Sequence, residues 1–188
     1  MNNTGSLTVI AGPMFCGKTE ELIRLVKRAV IGKKSVLVFK PSIDIRYGKD
    51  KKVFSHTGIA FDSELVSCAE DIEKNIHSDV DIVAIDEAQW LGDKLIPVIN
   101  RLVERGIHVI VAGLALTFDR QPFEPIPALM AMADKIIKLT AICSICGADA
   151  IYHKRITRKG GKNAHLADPS LVGKIDDYQA RCRNCFDT

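Results

Sequence analysis

No stretch of this chain is long and apolar enough to read as a membrane span. The longest uncharged, mainly apolar run, Val109 to Phe118, falls well short of the roughly 18 residues a spanning helix needs. The polar opening Met1-Asn2-Asn3-Thr4-Gly5-Ser6 leads into an apolar run too short for the core of a secretory signal. A strong charge of either sign is also missing. The 26 basic and 23 acidic side chains leave a net charge of +3, which does not demand a nucleic-acid footprint. Aromatics make up only 6% of the chain, with a single tryptophan, so the stacking platforms of a single-strand binder are thin. Repeats and low-complexity segments are absent. These gaps point to a cytoplasmic protein with neither membrane nor nucleic acid as partner.

What is present suffices for one full core. The chain has 188 residues, 47% of them hydrophobic, enough for one domain and a small appendage. Apolar, β-rich runs at Leu7–Ala11, Ser35–Phe39, Val80–Glu87, His108–Ala112 and Lys135–Leu139 read as buried strands. Helical spacing marks Glu20 to Val30 and Lys94 to Arg105, the latter closed by Gly106. Shorter helices are expected at Ala69–Ile76, capped by Ser67 with Glu70 in the capping-box position, and near Ala128–Ala133. Pro41 to Lys52 reads as a long solvated loop, and Val53 to Leu65 as short irregular strands. Strands alternating with helices predict an α/β fold, a parallel sheet with helices on both faces.

The chemistry gathers first at Gly12-Pro13-Met14-Phe15-Cys16-Gly17-Lys18-Thr19, a G-x-x-x-x-G-K-T pattern between a strand and a helix. That setting makes a phosphate cradle: backbone N–H groups and the helix N-terminus point at the anion. Lys18 reaches the β/γ-phosphates of the nucleotide, and the Thr19 hydroxyl holds Mg²⁺. Cys16, beside Lys18 and a helix N-terminus, is expected to have a lowered thiol pKa. In a parallel sheet, ligands lie at the carboxyl ends of strands. Asp86 and Glu87 end the third buried strand and so reach the same edge, Asp86 to support Mg²⁺ and Glu87 free to accept a proton.

Four of the six cysteines form two pairs, Cys143-x-x-Cys146 and Cys182-x-x-Cys185. Two such knuckles predict a closed, tetrahedral, structural Zn²⁺ site. Cys16 and Cys68 are left as free thiols of a reducing compartment. Composition changes at Cys143, so a boundary is expected near Ala141, dividing residues 1–141 from 142–188. Between the knuckles, Lys154-Arg155 and Arg158-Lys159-Gly160-Gly161-Lys162 form a basic segment. It reads as a solvated loop, a lid or a nucleic-acid contact. Trp90, Phe118 and Phe123 lie just beyond strand ends, either packed under loops or stacked on a flat ligand.

Together these pieces resemble the type II thymidine kinases, over nearly the whole chain from Leu7 to Cys185. The phosphate loop matches, as do Phe39-Lys40-Pro41 with Asp44-x-Arg46-Tyr47, Asp86-Glu87-x-Gln89 followed by an aromatic, and Gly113-Leu114 with Thr117-Phe118 and Pro122-Phe123. The cysteine pairs match as well. The resemblance implies a P-loop (RecA-like) parallel-sheet domain carrying a small zinc-binding lasso. It implies transfer of the ATP γ-phosphate to the 5′-hydroxyl of thymidine, with deoxyuridine accepted too. Glu87 is then the general base. Gly12 to Thr19, Asp44, Arg46, Asp86 and Gln89 serve ATP and Mg²⁺. Met14, Trp90, Leu114, Phe118 and Phe123 wall the thymine pocket, and Leu171, Val172, Gly173 and Tyr178 close over the base. A homotetramer with feedback by dTTP is also implied.

Four residues depart from the family pattern. Cys16 stands for a usual serine, Trp90 for a commoner phenylalanine, Ala115 for an aspartate and Lys174 for a glycine. Two readings of another class remain: a nucleic-acid-dependent ATPase, and a nucleotide-binding regulator without catalysis.

Overall fold

The computed structural model describes residues 4–42, 52–54, 60–156 and 177–188. Its main body is one sheet of six parallel strands: β1 (Ser6–Ala11), β2 (Val36–Pro41), β5 (Glu64–Val66), β6 (Ile82–Ile85), β7 (His108–Gly113) and β8 (Lys135–Lys138). Their order across the sheet is β5-β2-β6-β7-β1-β8. Between β2 and β5, β3 (Lys52–Phe54) and β4 (Ala60–Asp62) pair as an antiparallel ribbon. All five expected strands are present, but only four are buried: β8 sits at the edge of the sheet, paired with β1 alone, and its Ile136 is 47% exposed. The short strands expected before Leu65 supply the ribbon and the edge strand β5.

Strand alternation divides the core in two. Val9, Ala11, Val83, Ile85, Val109 and Val111 face one side, where α3 (Leu95–Glu104) and α4 (Ile126–Met132) bring Leu95, Ile99, Leu102, Ile126 and Leu129. Ile10, Ile82, Ala84, Ile110 and Ala112 face the other, covered by Leu22, Ile23 and Val26 of α1 (Lys18–Ile31). Adjacent residues of one strand thus anchor opposite layers, which explains why these runs are apolar throughout. Pro97 falls in the first turn of α3 as expected, and Gly106 follows that helix at φ 85°, donating its N–H to Val103 O.

The short helix α2 (Glu70–Lys74) corrects one expectation. Its N-cap residue is Ala69, without a side-chain cap. Neither Ser67 nor Glu70 caps it. Asp71 instead reaches back from the first turn, its Oδ2 accepting from the N–H groups of Ser67 at 3.2 Å and Cys68 at 3.3 Å, which lie ahead of the helix. A carboxylate accepts two such bonds more strongly than a hydroxyl accepts one.

After β8 the chain leaves the sheet. β9 (Ala141–Ile142) pairs with β10 (Asp149–Ala150), and β11 (Tyr152–Arg155) pairs with β12 (Tyr178–Arg181), both antiparallel. Ala141, Cys143, Ala150, Ala180 and Cys182 form a separate small core. Asp44 and Arg46, the basic run from Arg158 to Lys162, and Leu171, Val172, Gly173 and Lys174 lie outside the described residues.

Candidate active site

The phosphate loop is shaped by two glycines for different reasons. Gly17 takes φ 81° immediately before α1, a left-handed conformation that other residues adopt only with strain. Gly12 is required by crowding: a Cβ there would lie 2.5 Å from Cys16 Sγ and 2.7 Å from Leu139 O. The loop therefore folds tightly over its own start. Phe15 also has positive φ, 68°. Lys18 is buried at 9% exposure, its Nζ donating to Pro13 O at 2.7 Å across the loop.

Thr19, one residue on, joins the loop to the acidic end of β6. Its Oγ1 donates to Asp86 Oδ2 at 3.0 Å. Asp86 is buried just past β6, and its other oxygen accepts the N–H of Glu87 at 3.0 Å. Two hard oxygens this close form the kind of donor set Mg²⁺ prefers. Glu87 itself has φ 49°, an uncommon left-handed position that turns the chain sharply into the 3-10 turn Ala88–Leu91.

Gln89 sits buried at 3% exposure with both ends of its amide engaged. Nε2 donates to Glu87 Oε2 at 2.5 Å, and Oε1 accepts from Leu114 N–H at 3.1 Å. Gly113 leaves room for that amide, since a Cβ there would come within 2.8 Å of Gln89 Oε1. Gln89 thus braces a carboxylate from β6 against the loop after β7. A cleft of about 40 Å³ is lined by Met14, Phe15, Gly17, Lys18, Thr19, Glu20, Glu87 and Leu114. Seven of these eight were singled out in the sequence, from three separate stretches.

The aromatic residues pair rather than scatter. Trp90 and Phe123 meet edge to face with centroids 5.5 Å apart, and Trp90 Nε1 is buried without a hydrogen-bond partner among the described residues. Phe118 packs on Tyr178 of β12 at 6.2 Å. Beyond Tyr178 lies a residue that the sequence reading passed over. His153 of β11 is 3% exposed, its ring 5.9 Å from Tyr178, and its Nδ1 has no partner among the described residues. Burial, reinforced by the positive charge of Lys18 and opposed by Glu87, holds the imidazole pKa down at about 3. A lone histidine in a short strand carries no motif. The one available signal was the alternation Ile151-Tyr152-His153-Lys154, which places His153 opposite its polar neighbours.

Cys16 reverses its expected chemistry. It packs against the small core that holds Cys143 and Cys182. Burial pushes its thiol pKa up, outweighing the lowering by Lys18. The sequence showed the lysine and the helix terminus, but not the module that covers the sulfur.

The four paired cysteines come together. Their Sγ atoms all lie within 4.8 Å of one another, with Cys146 and Cys182 at 3.6 Å. A tetrahedral site with metal–sulfur bonds of about 2.3 Å has sulfur–sulfur edges of about 3.8 Å, so a structural metal such as zinc fits this cage. The first knuckle turns through Gly147 at φ 73°, its N–H donating to Cys143 O at 2.9 Å. Backbone N–H groups, that of Cys182 foremost, hold the Cys143 thiol down at about 6, towards the thiolate a metal needs.

The family model described as "Thymidine kinase" matches residues 5–186. Among solved structures, a DNA replication initiation factor is similar at 14% identity and a TM-score of 0.44. The similarity covers 74% of this chain and 41% of that one. The cytoplasmic domain of the Thermomonospora curvata type VII secretion ATPase EccC is similar at 14% identity and a TM-score of 0.44, over 85% of this chain and 23% of that one. The chain therefore spans well under half the length of either structure, and nothing about activity follows from them. No helix among the described residues is long and apolar enough to cross a membrane.

Proposed function

Since the chain belongs to the thymidine kinase family, we propose that it transfers the γ-phosphate of ATP to the 5′-hydroxyl of thymidine. The observation that carries this reading is the cleft shared by Glu87, Lys18 and Thr19. A base and a phosphate-binding lysine in one small space are what an in-line phosphoryl transfer needs.

Glu87 accepts the proton of the 5′-hydroxyl as its oxygen attacks the γ-phosphorus. The bond from that phosphorus to the β–γ bridging oxygen breaks, and ADP leaves with the electron pair. Lys18 neutralises negative charge on the transferring group, and the loop's N–H groups hold the β-phosphate. Thr19 and Asp86 would hold the Mg²⁺ that accompanies ATP, which supplies further charge neutralisation. Gln89 acts through Glu87, fixing the carboxylate that its own amide donates to. Gly12, Pro13, Phe15, Cys16 and Gly17 shape the cradle, with Asp44 and Arg46 at its triphosphate end.

Met14, Leu114, Trp90, Phe118, Phe123 and Tyr178 wall the nucleoside pocket in this reading, and Leu171, Val172 and Gly173 close it. Deoxyuridine is accepted as well, because the missing methyl removes only a modest apolar contact. Zn²⁺ on Cys143, Cys146, Cys182 and Cys185 holds a lasso domain of residues 142–188 against a nucleotide-binding domain of residues 1–141. A cytoplasmic homotetramer with feedback by dTTP completes the proposal.

One assay tests the reading: ATP turnover with thymidine, with single-stranded DNA, and with neither. Thymidine-dependent ADP release with dTMP as product is the expected result. Stimulation by DNA without dTMP overturns it in favour of a nucleic-acid-dependent ATPase. Tight ATP binding without turnover in any arm overturns it in favour of a regulator.

A further inference from the structure

We propose that Arg181 is the counter-charge of the four-cysteine site, its guanidinium offsetting the excess negative charge of the thiolates and so setting how tightly they hold zinc. That role rests on reading Cys143, Cys146, Cys182 and Cys185 as a zinc site and is independent of the substrate.

The first observation is a buried cation without an anion. Arg181 is 5% exposed and forms no ion pair among the described residues. Its Nε is buried and has no hydrogen-bond partner among them either. Arginine is almost never this buried unless a negative group accompanies it, because desolvating an unpaired charge costs several kcal/mol.

The second observation is where that cation is fixed. Arg181 immediately precedes Cys182, and Ser144 immediately follows Cys143. Arg181 Nη1 donates to Ser144 Oγ. Ser144 in turn gives its N–H and its hydroxyl to Ala180 O, at 3.0 and 3.1 Å. One side chain therefore spans from the neighbour of a ligand in the second pair to the neighbour of a ligand in the first. The cage beside it has four Sγ atoms within 4.8 Å of one another.

The charges complement each other. Four thiolates around one divalent ion leave an excess of two negative charges. Part of that excess lies in a small apolar core with Ala141, Ala150 and Ala180, where water screens little and a neighbouring cation acts strongly. Arg183, on the other side of Cys182, provides a contrast. It is exposed, with its guanidinium 5.5 Å over the Tyr152 ring, and water and salt screen its charge. A guanidinium also stays charged at any pH the fold survives, so the compensation is permanent.

The test follows zinc transfer from the loaded protein to a chromogenic chelator. Arg181→Gln removes the charge but keeps an amide that can donate to Ser144, and Arg181→Met fills the space without charge. Both should hold zinc about tenfold less tightly or worse, whereas Arg181→Lys, Ser144→Ala and Arg183→Gln should stay within about threefold of the parent protein. With cobalt in place of zinc, the thiolate-to-metal charge-transfer band should move to lower energy in the two neutral Arg181 variants alone. Neutral variants that hold zinc as tightly as the parent, or whose cobalt band does not move, overturn the proposal. Arg181→Lys or Ser144→Ala losing zinc as badly as they do overturns it too, because that marks a bonding or packing role. An equal loss in Arg183→Gln has the same force, since any nearby cation would then serve. If neither neutral variant folds around zinc while Arg181→Lys does, the need for charge is upheld. Metal analysis of fresh parent protein separates the two readings. Absence of zinc ends the metal site itself, whereas zinc held unchanged by the neutral variants ends only the role of Arg181.

Discussion

Gln89 donates to Glu87 Oε2 at 2.5 Å and accepts the Leu114 N–H at 3.1 Å through the same amide. One buried side chain thereby ties the proposed base to the loop beyond β7. Replacing it with leucine leaves that N–H buried and unpaired, which costs about 1–3 kcal/mol. It also releases the carboxylate. Gln89→Leu should lower kcat roughly 10²-fold, the scale of an ångström-sized misplacement, and lower the urea midpoint. Saturating kinetics and urea melts read the two effects separately, and an intact kcat would remove Gln89 as a brace.

Glu87→Gln keeps the size of the side chain and removes its capacity to take a proton. ATP affinity, measured by calorimetry, should hold, while thymidine-dependent turnover falls roughly 10²- to 10⁴-fold. Near-normal turnover would exclude Glu87 as the base.

Cys16 lies against the core that contains Cys143 and Cys182, so metal removal should reach the phosphate loop. In the intact protein its alkylation should be slow, because burial raises the thiol pKa. After dialysis against a strong chelator, peptide mapping should find Cys16 modified on the order of tenfold faster as the cover loosens. Bound ATP should slow it in both states. An unchanged Cys16 rate after zinc loss would uncouple loop and module.

Asp71 offers a pH test. Hydrogen bonds, that of Lys74 first and then those of Cys68 and Ser67, lower its carboxyl from 3.8 to about 2. A carboxylate whose folded pKa is depressed stabilises the fold above its unfolded pKa and loses that effect as pH falls through the folded one. Asp71→Asn should therefore melt at a lower temperature than the parent protein from neutral pH down to about 4. The gap should close as pH drops towards about 2. A gap that is constant across this window would assign the effect to shape rather than charge.

The central architecture was legible because its signals are local. Apolar runs ending at Ala11, Phe39 and Ala112 had one plausible use, and a glycine loop between strand and helix had one plausible geometry. The four sulfurs were legible for the same reason, since C-x-x-C fixes a turn by itself. Other features depend on partners distant in sequence. The high pKa of Cys16 comes from residues more than a hundred positions away, which no window around Lys18 contains. Ser67 does not cap α2 because the helix starts two residues further on, with Ala69 at its N-cap, and spacing alone does not place that start. Gln89 is expected to serve the nucleotide, and the hydrogen bonds it makes to Glu87 and to the Leu114 N–H come from partners its own sequence window does not show. His153 left only the alternation of its strand as a trace, because its burial is decided by β11 and β12 pairing beside Phe118.

The order of the sheet has a consequence for how the protein is born. Ser6 pairs with His108 and Thr8 with Lys135, so β1 is synthesised before both of the strands it pairs with and waits for partners made about a hundred residues later. Its apolar residues stay without a sheet until β7 and β8 have been made, a situation that invites chaperone capture. The phosphate loop hangs from the end of β1. Nascent fragments truncated before residue 135 should therefore fail to retain nucleotide, although every residue of G-x-x-x-x-G-K-T has already been translated.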